Sequence, residues 1–356
     1  MGTITPINSR SISSNSPEHR KTWTNKTLLQ LAEELDLYYT SPETYDVRRI
    51  EKIAAELFSE LKKILMEGGH YHKFKDSLRS PLPSFISFLK KTLVLMKSDE
   101  VDDFGLDRKF ELSIKPIFDF LYYDYFRVRT KGIENVPSEG RCLLVSNHSG
   151  VLPYDAAMIK LSIFNEHPSQ REVRFLVDDF VFHFPFLGVL MNRIGGVRAC
   201  PENATRLLES DEIVSVFPEG LKGIGKKFSD RYRLQRFGRG GVIKLALKTK
   251  APIVPIAVVG AEEIHPLLYK STTLAKPLGL PFIPITPTFP LLGPLGAIPL
   301  PTAWTIRFGK PIAFDWATPK ELNDGILINR ETEKLRSTIQ EMIRQSLGER
   351  KSIFLG

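Results

Sequence analysis

"GGVIKLALKTKAPIVPIAVVG", Gly240 to Gly260, places two periodicities back to back. In its first half Ile243, Ala246 and Leu247 recur at steps of three and four between lysines, which predicts a helix with one apolar face. In its second half Ala251 to Val259 is apolar throughout, and the stretch is too short for a typical buried helix. It predicts a strand covered on both faces. The same alternation runs upstream. "CLLVSNH" and "REVRFLVDD" read as strands, and a helix with an apolar face follows from Pro153. "FPFLGVLMNRIGGVRA" reads as a helix, a glycine turn and a short strand, and "EIVSVFPEG" as another strand. Apolar strands alternating with helices of this size predict an α/β domain with a largely parallel sheet flanked by helices.

Before this domain the character of the chain differs. Residues 1–26 are polar, with no apolar core for a secretory signal, and read as a mobile tail. Two helical patterns follow. Thr27 to Tyr39 forms the first, and the second, after the Ser41-Pro42 start signal, repeats Ile50, Ile53, Leu57, Leu61 and Ile64 at helical spacing. An acidic linker near Asp99 to Asp103 closes a helical N-terminal domain over 27–105. The α/β domain then spans 106–330, opening on the aromatic helix "FELSIKPIFDFLYYDYFRV", and a C-terminal helix spans 331–356.

Composition narrows the class. At 356 residues and 42% hydrophobic content the chain can bury a sizeable core. Cys142 and Cys200, the two cysteines, read as free thiols in a reducing compartment and set no disulfide framework. A net charge of +8 suits anionic surfaces or phosphorylated small molecules. No nucleic-acid fold signature accompanies it, so nucleic acid is not an expected partner. His183 and His265 lack partners at metal spacing, and no metal or resident cofactor is expected.

From Pro277 to Ile306 the chain carries no charge over thirty positions but holds eight prolines. The prolines argue against a membrane-spanning helix, because each removes a backbone donor that hydrocarbon cannot replace. The segment either packs irregularly against the domain, or lies at a bilayer interface or lines an acyl chain.

Chemistry concentrates at "NHSGVLPYDAAM", Asn147 to Met158. His148 stands where a strand leaves the sheet, the usual place for sites in open α/β sheets. Gly150 permits an unusual backbone angle, and Pro153 suits a first helical turn, where Asp155 would follow. Two readings fit these residues. Asp155 caps the helix while His148 bonds a backbone carbonyl, or Asp155 orients the imidazole so that its other nitrogen acts as a general base. There is no G-x-S-x-G elbow to support a serine nucleophile.

Three further motifs follow in order: "GGVRA" at 195–199, "FPEG" at 217–220 and "APIVPIAV" at 251–258. With "NHSG…D" the series resembles the glycerolipid acyltransferase superfamily, which includes lysophosphatidate and glycerol-phosphate acyltransferases. The resemblance covers Phe126 to Glu263, with "IRFGKPI" at 306–312 as a closing strand. It implies that His148 is the catalytic base and Asp155 its orienting carboxylate. It implies acceptor-binding roles for Arg198, Glu219 and Gly220, and places Pro255 near the acyl chain. One departure stands out: six residues separate His148 from Asp155, where the common family pattern has four. This longer form resembles a branch grouped with monoacylglycerol and diacylglycerol acyltransferases, so the acceptor need not be phosphorylated.

After Glu219 the chain carries seven Lys and Arg and one acid as far as Gly241. Gly220 to Lys227 nearly spells a nucleotide-binding loop, but Lys227 stands where Ser or Thr should hold magnesium. Lys222, Lys226 and Lys227 are therefore read as donor- or phosphate-binding groups for CoA, an acyl-carrier protein or anionic headgroups, against the alternative of a solvated basic loop. The resulting expectation is a cytoplasmic acyltransferase in peripheral contact with an anionic membrane, transferring a fatty acyl group from an acyl-CoA or acyl-carrier-protein thioester to a lipid hydroxyl. The rival is a lipid-binding or membrane-remodelling protein on the same fold.

Overall fold

The computed structural model describes residues 100–356 apart from 151, 183–186, 273–274, 276–280, 288, 290–295, 297 and 319, together with Gln30 and Arg49. The polar tail and, apart from its last few residues, nearly all of the helical domain read over 27–105 lie outside the described residues.

A seven-stranded sheet organises the chain. Its strands are β1 (Arg129–Lys131), β2 (Cys142–Ser146), β3 (Val173–Val177), β4 (Gly196–Arg198), β5 (Ile213–Val216), β6 (Ile253–Val259) and β9 (Thr305–Phe308), in the spatial order β1-β9-β6-β2-β5-β3-β4. Every neighbouring pair is parallel except β6 and β9. The largely parallel α/β class expected from the alternation is the observed one. The closing strand inserts between β1 and β6, and Ile312 extends its path by bridging back to Ile253. A separate antiparallel pair, β7 (Tyr269–Ser271) and β8 (Ile283–Ile285), stands apart from this sheet.

Alternate side chains of the central strands feed two cores, as the pleat requires. Leu144 of β2 and Val254, Ile256 and Val258 of β6 face helix α1 (Arg108–Phe120), the turn after it and helix α2 (Tyr154–Glu166). Leu143, Val145, Ile253, Ala257 and Val259 face α5 (Pro201–Glu209), α7 (Gly241–Thr249) and α8 (Gly325–Glu349). Both faces are covered, which is why the strands read as unbroken apolar runs. Three shorter helices, α3 (Asp179–Phe182), α4 (Leu187–Arg193) and α6 (Leu221–Ile224), sit near the ends of the strands that precede them.

Two boundaries differ from the sequence reading. The C-terminal helix begins at Gly325, capped by Asp324 accepting from the amides of Ile326 and Leu327. It belongs to the α/β core, because Leu335, Ile339 and Ile343 pack on β6 residues. The end of the acidic linker is also pinned to the domain: Asp102 pairs with the buried Arg174, and Phe104 lies under the guanidinium groups of Arg174 and Arg206. Aromatic helix α1 widens into a π-turn at Leu121–Tyr125, where the Phe126 amide donates to the Leu121 carbonyl. Phe126 then stacks on Trp304, so the end of the charge-free segment is core.

Candidate active site

The carboxyl ends of four strands converge. β2 runs into Asn147 and His148, β5 into Phe217–Gly220, β3 into Asp178, and β6 into Gly260–Glu263. Asn147 ties the first of these loops to the sheet. Its amide donates to the Val258 carbonyl at 3.0 Å, and its oxygen accepts the Val258 N–H at 2.8 Å, so it continues strand pairing by side chain. Gly150 turns the loop at φ +83°, with the Ala261 carbonyl close to where a Cβ would stand. Helix α2 then starts immediately after Pro153 and carries Asp155 in its first turn.

Asp155 is fully buried, and its acceptors are all spoken for. Oδ1 accepts the Ala156 amide at 2.8 Å, and Oδ2 accepts the Ser149 amide at 2.9 Å and faces His148 Nδ1 at 2.7 Å. An ionised carboxylate can only accept, so the proton lies on Nδ1 and the lone pair on Nε2. The two sequence readings thus meet in one arrangement: Asp155 sits in the first turn of its helix and also orients the imidazole. The ring stacks on Phe217 at 4.6 Å between centroids. It also lines an apolar cavity of about 600 Å³.

Behind His148 lies a buried polar layer that sequence spacing does not reveal. Glu219 Oε1 accepts the His148 backbone N–H at 2.9 Å, and Oε2 accepts the Gln235 N–H at 2.6 Å. Lys226 Nζ lies 3.4 Å from Glu219 and 2.8 Å from Glu262. Burial pushes the Glu262 carboxyl up to about 7, against the pull of Lys226 beside it. Gly223 is pressed between the two elements, 2.8 Å from the Glu219 Cβ and 2.9 Å from the His148 Cβ at the position its own Cβ would take.

The other expected site residues scatter. Gly220 and its neighbours Leu221 and Ile224 line the cavity, together with Phe282, Pro284 and Phe289 of the charge-free segment. Described residues of that segment are therefore found both in the cavity wall and in the core. Glu219 faces inward to His148 and is unavailable to an acceptor, because its side chain is fully buried. Lys226 is likewise an internal counter-ion and not a surface phosphate ligand. Lys222 and Lys227 are exposed, as the basic-loop alternatives both require. Arg198 is exposed on edge strand β4 and held by Asp179 through two contacts of 2.6 Å. Pro255 is buried in mid-strand, its carbonyl accepting the Gly309 amide, and it is not among the residues that line the cavity. Among the described residues no cluster of three metal-ligating side chains occurs, and no helix is long and apolar enough to cross a membrane.

Glu262 is the functional neighbour that sequence reasoning passed over. Its only signal is "AEE" directly after a strand buried along its whole length, where carboxylates need a partner.

Comparison with known proteins matches these features. The acyltransferase family model covers residues 127–259, from just before β1 to the end of β6. An uncharacterized protein of Mycobacterium tuberculosis is 46% identical over 257 residues, 72% of each chain. A lyso-glycine lipid O-acyltransferase of Phocaeicola vulgatus is 26% identical over 63% of this chain and 76% of its own. The crystal structure of the 1-acyl-sn-glycerophosphate acyltransferase PlsC from Thermotoga maritima aligns over 75% of this chain and 90% of its own, at 16% identity and a TM-score of 0.45. The chain belongs to the acyltransferase family.

Proposed function

We propose that this acyltransferase moves a fatty acyl group from an acyl-CoA or acyl-carrier-protein thioester to a hydroxyl of a glycerolipid-type acceptor, which is lysophosphatidate, glycerol 3-phosphate or a neutral acylglycerol. The observation that carries the proposal is the 2.7 Å contact of Asp155 with Nδ1 of a histidine that lines an apolar cavity. With Nδ1 committed, Nε2 is the nitrogen left for the substrate proton.

The acceptor hydroxyl attacks the thioester carbonyl carbon as His148 Nε2 takes its proton. Buried Asp155 stabilises the imidazolium that forms. Collapse of the tetrahedral species breaks the C–S bond, and the leaving thiolate takes the proton back from Nε2. An ester and a free thiol result, with no covalent enzyme intermediate. Apolar walls fit a fatty acyl chain, and they exclude water that would hydrolyse the thioester. The exposed Lys222 and Lys227 beside the cavity suit the donor's phosphates. The name of the Phocaeicola relative, a lipid O-acyltransferase, supports a lipid hydroxyl as acceptor.

Contact with an anionic membrane surface belongs to the same proposal. Leu221, Leu268 and Tyr269 are exposed on α6 and at the start of β7, close to Lys222, Lys227 and Lys270. Apolar and basic groups side by side suit a bilayer interface.

The test is labelled palmitoyl-CoA presented with a panel of lysophosphatidate, glycerol 3-phosphate and monoacylglycerol. His148→Ala is expected to lower turnover by roughly 100-fold to 10,000-fold with the fold intact. Asp155→Asn is expected to fall less far, because the imidazole remains but loses its orientation. Turnover of His148→Ala within a few-fold of wild type ends the general-base reading and favours a lipid-binding role on this fold.

A further inference from the structure

Glu219 has to do two things at once. It holds the His148 backbone N–H, and it does so with a side chain that has no contact with solvent. A buried carboxylate stays ionised, and stays a strong acceptor, only beside a compensating cation. Lys226 is that cation, itself only 3% exposed along its side chain. It is in turn fixed from the far side by Glu262 at 2.8 Å.

Glu262 is no loose anchor. Its second oxygen accepts the Tyr232 amide at 3.1 Å. The Tyr232 hydroxyl donates to neighbouring Glu263 at 2.7 Å, and Arg350, just beyond α8, donates to both Glu263 oxygens at 3.1 and 2.7 Å. A continuous buried path therefore runs from the His148 backbone through Glu219, Lys226 and Glu262, then through the Tyr232 backbone to Glu263 and Arg350. The path ties together the connections that follow β2, β5 and β6 and the residue just beyond α8.

We infer that Lys226 is a positioning residue for the catalytic histidine: its ammonium, lying between Glu219 and Glu262, keeps Glu219 aimed at the His148 amide. This rests on the proposal that His148 is the general base, and it gives the second lysine of the basic loop an internal role. Lys226 touches neither donor nor acceptor in this role.

The argument makes the two partners of Lys226 unequal. Removing the Glu262 charge leaves Lys226 free to pair with Glu219, so the histidine loop stays in place. Removing Lys226 leaves Glu219 without its buried counter-ion, so its side chain turns away and the His148 amide loses its acceptor. Lys226→Met alone risks misfolding, because it leaves two buried carboxylates without a cation. The double variant Lys226→Met with Glu262→Gln removes the ammonium together with the carboxyl on its far side, so Glu219 alone is left without its partner.

The experiment uses the full chain and two readouts: hydrogen exchange of the His148 amide, and steady-state transfer from palmitoyl-CoA to monoacylglycerol and to lysophosphatidate. Glu262→Gln and Lys226→Arg are expected to keep amide protection and kcat within about threefold of wild type. The double variant is expected to melt near the wild-type temperature, lose His148 protection locally by at least tenfold, and lose kcat by at least tenfold with KM within twofold. Wild-type protection and kcat in the double variant would overturn the inference, as would loss of protection spread evenly over the whole chain. Exchange changing as expected in a protein that transfers no acyl group from palmitoyl-CoA would instead count against the acyltransfer reading and leave the positioning role standing.

Discussion

At the scale of single residues, the site depends on carboxylates whose surroundings differ sharply. Asp155 accepts two backbone amides and pairs with the imidazole. At Glu262 the carboxyl is raised from 4.5 to about 7 because burial outweighs Lys226. That difference has a consequence for stability. Between pH 4.5 and 7 the folded chain keeps the Glu262 proton while the unfolded chain releases it, so this group's contribution is full below 4.5 and is lost as pH rises to about 7. The displacement corresponds to an upper bound on the order of 3 kcal/mol. Glu262→Gln does not titrate, so it should gain stability relative to wild type across that window and hold a constant lead above it. Urea unfolding of the two proteins from pH 4.5 to 8 checks this. A difference that does not change with pH would mean that Glu262 is ionised throughout.

At the scale of elements, β8 and described residues beside it in the charge-free segment, Phe282 and Phe289 among them, form one wall of the cavity. Phe282, immediately before β8, packs with Ile224 of α6 and Leu267 in a small cluster beside the cavity, and Lys270 of β7 lies over its ring. If the wall bounds an acyl chain, its bulk should set the length accepted. Phe282→Trp is expected to shift the preference of kcat/KM from an 18-carbon toward a 12-carbon acyl-CoA by about tenfold, in line with what a few methylenes contribute in an apolar pocket. An unchanged chain-length profile would place the acyl chain elsewhere.

At the scale of the whole molecule, a net charge of +8 combines with apolar side chains left in water near the cavity. Leu268 and Tyr269 are 55% and 60% exposed on the strand pair that walls the site. Binding to vesicles should then need anionic lipid and weaken with salt, but retain an unscreened apolar part. Leu268→Ser with Tyr269→Ser should lower co-sedimentation with anionic vesicles at every salt concentration and leave the salt slope unchanged. Lysine substitutions at Lys222 and Lys227 should reduce the slope instead. A wild-type protein that stays in the supernatant with anionic vesicles at low salt would end the membrane proposal.

What the amino-acid order determined by itself is the periodic and local part. Unbroken apolar runs such as Ile253–Val259 implied strands covered on both faces, and the sheet carries them so. His148 and Asp155 stood out by position, but their residues alone fitted a capping aspartate as well as a paired one, and it was the family resemblance that implied the pair seen at 2.7 Å. Charge was not legible in the same way. Lys226 reads as one more basic residue in a basic loop, yet the carboxylate that anchors it lies 36 positions away, and the one that binds His148 lies 71 positions from it. Arg198 reads as a ligand until Asp179, on the turn after the neighbouring strand, is seen to hold it. Pro255 keeps its motif but faces the layer behind the sheet. Backbone periodicity is dictated by nearest neighbours along the chain, so sequence suffices for it. Whether a lysine is a ligand or a counter-ion depends on which groups folding brings opposite it and on whether water is left there, and only the tertiary structure decides that.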